Sequence, residues 1–419
     1  MCLQQTVPPS GHRLREGGQD SSGAPTTTPE ARGVSVKDIY LDNQATTRTD
    51  PRVVERMLPY FTEHYGNPHS AQHEFGHDAK RAVDEARTQV AKLIGARPAE
   101  VVFTSGATEA NNQALLGVAR AHTGERRRLI TTRIEHPCVE ACMRQLELEG
   151  FEVVYVPVDA DGRVDLQTLA KLVHQQTLVV SIMAANNEIG VLQDLHVIGE
   201  ICAAEGAFFH TDAAQAAAKI PVDVDAMRID MLGISGHKLY APMGSGALFV
   251  RDRPDLVLAP LLIGGGQEFG LRSGTVAAPL AVGLGAACAI GNEELVAEMQ
   301  RLTAMRETLW AALHKSVQGI RLVGHPSKRL PGNLNVCLPG TRAVDVIAAL
   351  DGVALSSASA CATGGGVPSH VLDGIGLAPE VAECCLRIGL GRFTTADEMS
   401  IATPKIIAAF AAAGASITA

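Results

Sequence analysis

The sequence predicts an α/β protein with one mostly parallel sheet of seven strands and a smaller α/β domain formed mainly by its C-terminal part. From Ile39 onward, short apolar runs alternate with amphipathic helical patterns, which is typical of parallel strands covered by helices. The chain has 419 residues, 46% of them hydrophobic, so it can bury a large core. Its length also suggests more than one domain.

The elements of the large sheet are predicted in chain order from apolar spacing. A helix begins at Pro51, where apolar residues recur at helical spacing, and a second one covers residues 82–93 and ends at Gly95. Apolar runs bounded by polar or glycine residues then predict seven strands. They are residues 101–103, 129–132, 153–158, 178–183, 207–209, 231–234 and 246–250.

The pattern changes after Thr275. The chain is alanine-rich and helical to about residue 290, charged and amphipathic to Lys315, and alternating again from Ile320. We therefore predict a large domain of residues 51–294 and a small domain of residues 295–419 joined by 37–50, with a ligand cleft between them. Residues 1–36 are rich in Pro, Gly, Ser and Thr and are predicted to be a disordered extension.

Composition restricts the class of function. The formal net charge is -9 and no basic stretch is longer than residues 126–128, which is unfavourable for a nucleic-acid surface. No apolar run reaches the roughly 18 residues of a membrane span. The nine cysteines form no CxxC pair, which fits a reducing compartment. We expect a cytoplasmic protein that acts on small molecules and protein partners.

Polar clusters directly follow five of the predicted strands. Ligands of open α/β sheets bind at the carboxyl ends of the strands, where loops and helix N-termini meet. Five clusters with complementary chemistry at one edge predict a binding site there. The clusters are residues 105–108, 135–136, 186–188, Asp212 and Lys238.

Lys238 and Asp212 indicate the chemistry of this site. A lysine amine that forms a Schiff base, and a buried carboxylate that keeps a pyridinium nitrogen protonated, are what pyridoxal phosphate requires. Gln215 is on the same loop as Asp212 and can donate to the cofactor phenolate. Ser235 and His237 precede the lysine and can contact the phosphate of the cofactor.

Each of these residues also has a plainer interpretation. Ser105 or Thr108 can be an ordinary helix N-cap, and the backbone N–H groups there can equally hold a phosphate. Asp212 can cap the helix that follows it. His136 can be structural, or can stack on the cofactor ring and move protons. Lys238 can be a surface lysine of a loop.

Cys361 is in a loop rich in serine, alanine and glycine, and its presence suggests sulfur chemistry. Three glycines at 364–366 allow the segment to move, which a sulfur carrier requires. A single cysteine in a loop is, however, usually inert.

Eight motifs closely resemble those of the NifS/IscS-type cysteine desulfurases, and the match runs from about Ile39 to Thr394. The motifs are YLDN at 40–43, YGNPHS at 65–70, TSGATE at 104–109, NNEIG at 186–190, HTDAAQ at 210–215, SGHK at 235–238, GGGQE at 264–268 and RSGT at 272–275. The resemblance implies a fold-type I pyridoxal phosphate enzyme. It also implies a homodimer that converts L-cysteine to L-alanine and a protein-bound persulfide.

The resemblance implies a role for each residue at the cofactor. Lys238 is the lysine joined to the cofactor, Asp212 pairs with the ring nitrogen and Gln215 contacts the phenolate. His136 is the ring-stacking acid and base. Phosphate contacts are implied for Ala107, Thr108, Ser235, His237 and, from the other subunit, Thr275.

The resemblance also implies how substrate and sulfur are held. Asn187, which lies at the cofactor as well, and Arg387 correspond to residues that bind the substrate carboxylate, a task suited to a fork-shaped guanidinium. The segment SSASAC at 356–361 resembles the long-loop group, in which the cysteine, here Cys361, accepts sulfur and carries it to an acceptor such as an iron–sulfur scaffold. No metal ligand is implied.

The chain departs from the family pattern at Gln44, Ala241 and Met243, and we expect none of the three to touch the chemistry. Its C-terminus lacks the tail with which housekeeping members dock a scaffold, so the sulfur acceptor stays open. Two other functions remain possible from the sequence. One is a selenocysteine lyase, and the other is an inactive partner in a sulfur-transfer complex.

Overall fold

The computed structural model describes residues 38–124, 126–357 and 369–418, and within them the chain forms thirteen strands and twelve α-helices. The strands are β1 (Ile39–Tyr40), β2 (Val101–Thr104), β3 (Arg128–Thr131), β4 (Glu152–Tyr155), β5 (Thr177–Ser181), β6 (Phe208–Asp212), β7 (Met231–Ser235), β8 (Gly246–Val250), β9 (Arg321–Leu322), β10 (Asn333–Cys337), β11 (Val353–Ala354), β12 (Ser356–Ser357) and β13 (Cys385–Gly389).

The helices cover the sheets and connect successive strands. They are α1 (Pro51–Met57), α2 (Pro59–Thr62), α3 (Glu74–Leu93), α4 (Ala107–Ala121), α5 (Pro137–Leu148), α6 (Leu166–Leu172), α7 (Leu195–Ala204), α8 (Ala278–Ser316), α9 (Ala343–Ala348), α10 (His370–Gly374), α11 (Pro379–Ala382) and α12 (Ala396–Ala412).

The largest sheet has seven strands in the order β2-β8-β7-β6-β5-β3-β4. Strand β8 is antiparallel to both of its neighbours, and the other pairs are parallel. The prediction of one mostly parallel sheet of seven strands is therefore confirmed. Because β2 and β7 flank β8 in the same sense, the carboxyl ends of β2, β3, β5, β6 and β7 all meet at one edge.

Strand β6 is longer than its apolar run, because it continues through His210 and Thr211 to Asp212. All five residues of this strand are buried. The polar residues are tolerated there because side chains from neighbouring strands receive them: His210 Nδ1 lies 2.8 Å from Ser181 Oγ on β5. The extension fixes Asp212 on a strand rather than on a mobile loop.

Two smaller sheets are formed mainly by the C-terminal part of the chain. Strands β12, β13, β10 and β9 form an antiparallel sheet in that order, and β1 pairs with β11 in parallel. Leucines of α8, apolar residues of β10 and β13, and Ile406 and Phe410 of α12 form one core beneath the larger of these sheets. The predicted domain boundary at 294/295 falls inside α8, and the division into two domains stays a prediction.

Helix α8 contains a stretch of 18 residues that is apolar on average and long enough to span a bilayer. No apolar run of this length was predicted from the sequence. Half of that stretch is buried inside the protein. Gly285 lies directly on α3, because a Cβ added there would be 2.6 Å from Ala86 Cα. The small and apolar residues of α8 therefore serve close helix packing.

Candidate active site

A cavity of about 510 Å³ opens at the carboxyl edge of the seven-stranded sheet, a volume within the usual range for ligand sites. Nine of the residues predicted for the site line it together. They are Ala107, Thr108, His136, Asn187, Asp212, Gln215, Ser235, His237 and Lys238. The five polar clusters that the sequence placed at separate strand ends therefore converge on one space.

One end of the cavity is suited to an anion. Helix α4 begins there, its N-cap Gly106 has a φ of +150° that favours glycine, and no side chain caps the helix. The first N–H groups of a 15-residue helix therefore face the cavity beside Ser235. A Cβ at Gly246 would lie 2.5 Å from Gly106 Cα, so the turn fits only because β8 carries glycine at that point.

Neither Glu109 nor His237, which both lie beside this anion site, presents an unpaired charge to it. Glu109 accepts hydrogen bonds from Arg272 Nε at 2.7 Å and from the Ser105 N–H at 2.8 Å. Burial, together with the charge of Lys238, lowers the pKa of His237 to about 4. His237 is therefore a neutral hydrogen-bonding group at pH 7, with Nδ1 at 3.0 Å from Thr46 Oγ1.

Asp212 lies at the opposite side of the cavity and is 5% exposed. Its Oδ2 accepts from Asn111 Nδ2 at 2.8 Å, and its Oδ1 accepts from the Ala214 N–H at 2.8 Å. The bond from the Ala214 N–H fits the capping interpretation, and the bond from Asn111 also holds the carboxylate in a fixed orientation at the cavity. His136, Cys138 and Asp212 also bring possible metal ligands within 4.8 Å of one another.

Asn111 is a functional residue that the sequence reasoning missed. It projects from the second turn of α4, and its fully buried amide orients Asp212. Gly233 on β7 makes room for it, because a Cβ there would come within 2.3 Å of Asn111 Oδ1. No local pattern in the sequence marks this contact, because Asn111 and Asp212 are 101 positions apart.

The amine of Lys238 is held by main-chain oxygens. Its Nζ donates to the carbonyl of Gln44 at 2.6 Å and to that of Ala45 at 2.5 Å. Ala45 and Thr46 line the cavity, and so does Met243. Met243 lines the cavity wall, so the expectation that this departure lies away from the site is wrong, whereas Gln44 contacts the lysine only through its main-chain carbonyl and does not line the cavity.

His136 combines the two roles that the sequence left open. It is the N-cap of α5, and its Nδ1 accepts from the Cys138 N–H at 3.2 Å. An accepting Nδ1 leaves the proton of the neutral ring on Nε2. Burial lowers the pKa of His136, so the neutral ring is the form present at pH 7. A fixed, neutral imidazole at the cavity can both stack and exchange a proton.

Arg387 is fully buried on β13 and does not line the cavity itself. Its Nη1 donates to the Asn187 carbonyl at 3.0 Å and its Nη2 to Asp42 Oδ1 at 2.9 Å, while its Nε has no partner among the described residues. The guanidinium thus lies directly behind Asn187, which does line the cavity.

Thr275 lies in a different cavity of about 250 Å³, which it shares with Ser105 and Gly244. The segment that leads to it is fastened by a buried ion pair, because Arg87 Nη2 lies 2.6 Å from Glu268 Oε1. Within this chain Thr275 thus does not line the 510 Å³ cavity. Its assignment to the site of a second subunit stays a prediction.

Cys361 lies outside the described residues, but the residues that flank its segment are anchored close to the site. Ser356 Oγ donates to Asp42 Oδ2 at 2.5 Å, on the same carboxylate that holds Arg387. Ser369 Oγ donates to Glu188 Oε2 at 2.5 Å, and Glu188 is the neighbour of Asn187. Both described ends of this loop are therefore tied to groups next to Arg387 and Asn187.

Glu135 is a second group for which the sequence assigned no role. It is 1% exposed, and its Oε1 accepts from Thr132 Oγ1 at 2.8 Å and from the Met183 N–H at 3.0 Å. Burial raises the pKa of Glu135 to about 8, and the charge of Asp212 adds to the shift. The carboxyl is therefore protonated at neutral pH and clamps the β3 loop that carries His136 to the end of β5.

This protonated carboxyl predicts a pH dependence of stability. The folded state holds a proton that the unfolded chain releases above a pKa of 4.5, so the contribution of Glu135 is complete below that pH and is lost as pH rises to about 8. We expect Glu135→Gln to remove a slope of up to about 1.4 kcal/mol per pH unit from the free energy of unfolding in this window. Urea unfolding at a series of pH values measures it. Glu147→Gln, at an exposed carboxylate of α5, is the matched control, and an equal slope in all three proteins would contradict the assignment.

The fold and the site together define a class of protein. The chain belongs to the class-V aminotransferase family, whose pattern matches residues 39–401. Within that family it belongs with the NifS/IscS-type cysteine desulfurases. It is 46% identical to human cysteine desulfurase over 404 residues, which are 96% of this chain and 88% of that protein.

Solved structures agree with this assignment. A NifS-like protein of 37% identity superimposes with a TM-score of 0.83 over 89% of this chain and 99% of the other. The structure of SspA in complex with cysteine, at 35% identity, gives a TM-score of 0.74 over 85% of this chain and 100% of the other. The predicted family and fold are therefore confirmed.

Proposed function

We propose that the protein is a cysteine desulfurase that binds pyridoxal phosphate in the 510 Å³ cavity and takes sulfur from L-cysteine. The observation that carries the proposal is the placement of three complementary groups around one space. These groups are the amine of Lys238, the buried carboxylate of Asp212 and the uncapped N-terminus of α4. The similarity to cysteine desulfurases and to a cysteine-bound structure supports the choice of substrate.

The residues present fit this cofactor. A phosphate needs hydrogen-bond donors, which the start of α4 and Ser235 provide. It also needs the absence of an unpaired carboxylate, and Glu109 is paired with Arg272. A ring N–H needs a fixed acceptor, which is Asp212. When bound, the cofactor supplies an electron sink for charge that develops at the substrate Cα.

Proton transfer at the substrate is assigned to two groups of the chain. Lys238 is held at the cavity by the Gln44 and Ala45 carbonyls, where its amine can take and return the proton of the substrate Cα. His136 lies neutral at the wall with its Nε2 protonated, so it can pass a proton to or from substrate groups on its side. The substrate carboxylate is assigned to Asn187 with the cation of Arg387 behind it.

Cys361 is proposed to receive the sulfur. Its thiolate attacks the substrate sulfur, an S–S bond forms, the C–S bond breaks, and the electron pair stays with the substrate carbon, which takes up a proton as alanine forms. The other cysteines support this choice, because all seven that lie in the described residues are buried. Burial raises the pKa of Cys138, beside His136, to about 12, so this thiol is not a thiolate at neutral pH.

The proposal includes three further properties. The protein forms a homodimer, it passes sulfur to an acceptor protein such as an iron–sulfur scaffold, and it is located in the cytoplasm. Large apolar side chains exposed beside the Thr275 segment support a second copy at this face, because exposed apolar clusters usually mark contact surfaces. Ile263 is 90% exposed and Phe269 is 62% exposed.

The proposal is tested with the full-length protein. We expect a visible absorption band on addition of pyridoxal phosphate, a change of that band on addition of L-cysteine, and formation of alanine with one persulfide per active site. Parallel rates with L-selenocysteine separate a desulfurase from a selenocysteine lyase. A protein that binds the cofactor but forms no alanine from either substrate would instead be an inactive partner.

A further inference from the structure

The amine of Lys219 donates a hydrogen bond to a residue of the proposed site. Its Nζ donates to Gln215 Oε1 at 2.9 Å, and the residue lies seven positions after Asp212 on the same connection. No motif and no assigned role included it. The described structure thus has a second lysine within one side chain of the cofactor cavity.

We propose that Lys219 is a positioning residue that fixes the Gln215 amide with its nitrogen towards the cofactor. An ammonium or amine nitrogen donates to Oε1, so this oxygen must face Lys219. Independently, the Gln44 carbonyl accepts from Gln215 Nε2 at 2.9 Å, so the nitrogen must face the other way. Both contacts select the same orientation, which leaves the second N–H of Gln215 for the cavity that this residue lines.

The backbone between Gln215 and Lys219 includes one residue in an uncommon conformation. Ala218 has a φ of +58°, a left-handed conformation that is uncommon for a residue other than glycine. Ala218 packs closely against α8, since a Cβ added at Gly291 would lie 2.5 Å from the Ala218 Cβ. Lys219 directly follows this residue, and uncommon backbone conformations of this kind occur often at functional segments.

The surroundings keep the contact at neutral pH. Burial, together with the charges of Lys238 and Arg387 and against that of Glu298, lowers the pKa of Lys219 to about 7. The charge of Lys219 is one of the causes that lower the pKa of His237, and His237 is neutral at this pH. Both the charged and the neutral amine carry N–H groups, so either form can donate to Gln215.

This role rests on the proposed function, because it concerns the phenolate of pyridoxal phosphate. A donor and a nearby cation both disfavour proton uptake by the bound cofactor. We therefore expect Lys219→Met to move the midpoint of the pH titration of the visible band to higher pH, by about half a unit or more. Lys219→Arg, which keeps both donor and charge, is expected to stay near the wild type.

Two further variants separate positioning from a general structural effect. Lys171→Met removes an exposed lysine of α6 and is expected to leave the midpoint unchanged. If Lys219 acts through Gln215, the double variant Gln215→Met/Lys219→Met moves the midpoint no further than Gln215→Met alone. An additive shift, or a wild-type midpoint in Lys219→Met, would overturn the proposal. A wild-type protein with no visible band at all would contradict the proposed function instead.

A second measurement needs no cofactor. In protein labelled with ¹⁵N-glutamine, the side-chain NH₂ signal of Gln215 is identified by its loss in Gln215→Met. We expect this signal to shift in Lys219→Met and to keep its position in Lys171→Met. An unchanged signal in Lys219→Met would show that the amide orientation does not depend on Lys219.

Discussion

Replacing Lys238 by alanine is expected to abolish alanine formation from cysteine. Loss of proton transfer alone lowers kcat by about 10²–10⁴-fold, and loss of the covalent link to the cofactor adds to this. The hydrogen bonds from Nζ to the Gln44 and Ala45 carbonyls are also lost. Initial rates of alanine formation, with cofactor in excess, measure the effect.

The control for this variant is Lys92→Ala, at an exposed lysine in the last turn of α3, which should retain the wild-type rate. Borohydride reduction of the wild-type holoprotein should place the cofactor mass on the peptide that contains Lys238. Mass on another lysine, or turnover by Lys238→Ala, would remove the basis of the proposed mechanism.

Replacing Cys361 by serine is expected to lower the rate of sulfide release by about 10³-fold or more, because the sulfur nucleophile is lost. Binding of cysteine should persist, since Lys238, Asp212 and the carboxylate-binding residues are untouched. The change of the visible band on addition of cysteine therefore remains, while persulfide and alanine do not form. Stopped-flow absorption and persulfide quantification separate the two steps.

Cys2→Ser is the matched control, because Cys2 is the other cysteine outside the described residues and has no predicted role. We expect it to react like the wild type. Undiminished sulfide release by Cys361→Ser would assign the nucleophile to another group and would contradict the role of this loop.

The large sheet was predictable because each of its strands is an apolar run bounded by turn signals. The boundaries failed where polar residues are buried, as at His210 and Thr211, since hydrophobic patterning cannot register a side chain that is satisfied by a neighbouring strand. The apolar stretch of α8 was missed because glycines interrupt it, although they are what lets the helix pack closely.

Most of the site was predictable because its residues follow strands or match family motifs. Residues that act through another side chain were not. Asn111, Glu135 and Lys219 carry no local signal of their partners, because Asp212 and Met183 are distant in sequence from the first two, and the contact of Lys219 with Gln215 forms in a run of turns rather than in a helix. The hydrogen bonds from Lys238 to the 44–45 carbonyls were also beyond a sequence pattern, since any residue supplies a main-chain oxygen.

The burial of the cysteines has a practical consequence for following sulfur through this protein. Seven of the nine sulfhydryls are shielded from reagents in the folded state, so alkylation of the native protein can modify at most Cys2 and Cys361. In a Cys2→Ser background the labelling stoichiometry reports on a single atom. A maleimide dye labels the thiol and the persulfide of Cys361 alike, but a thiol reductant then cleaves the dye only from the persulfide adduct, so the fraction of dye released measures the fraction of loaded enzyme.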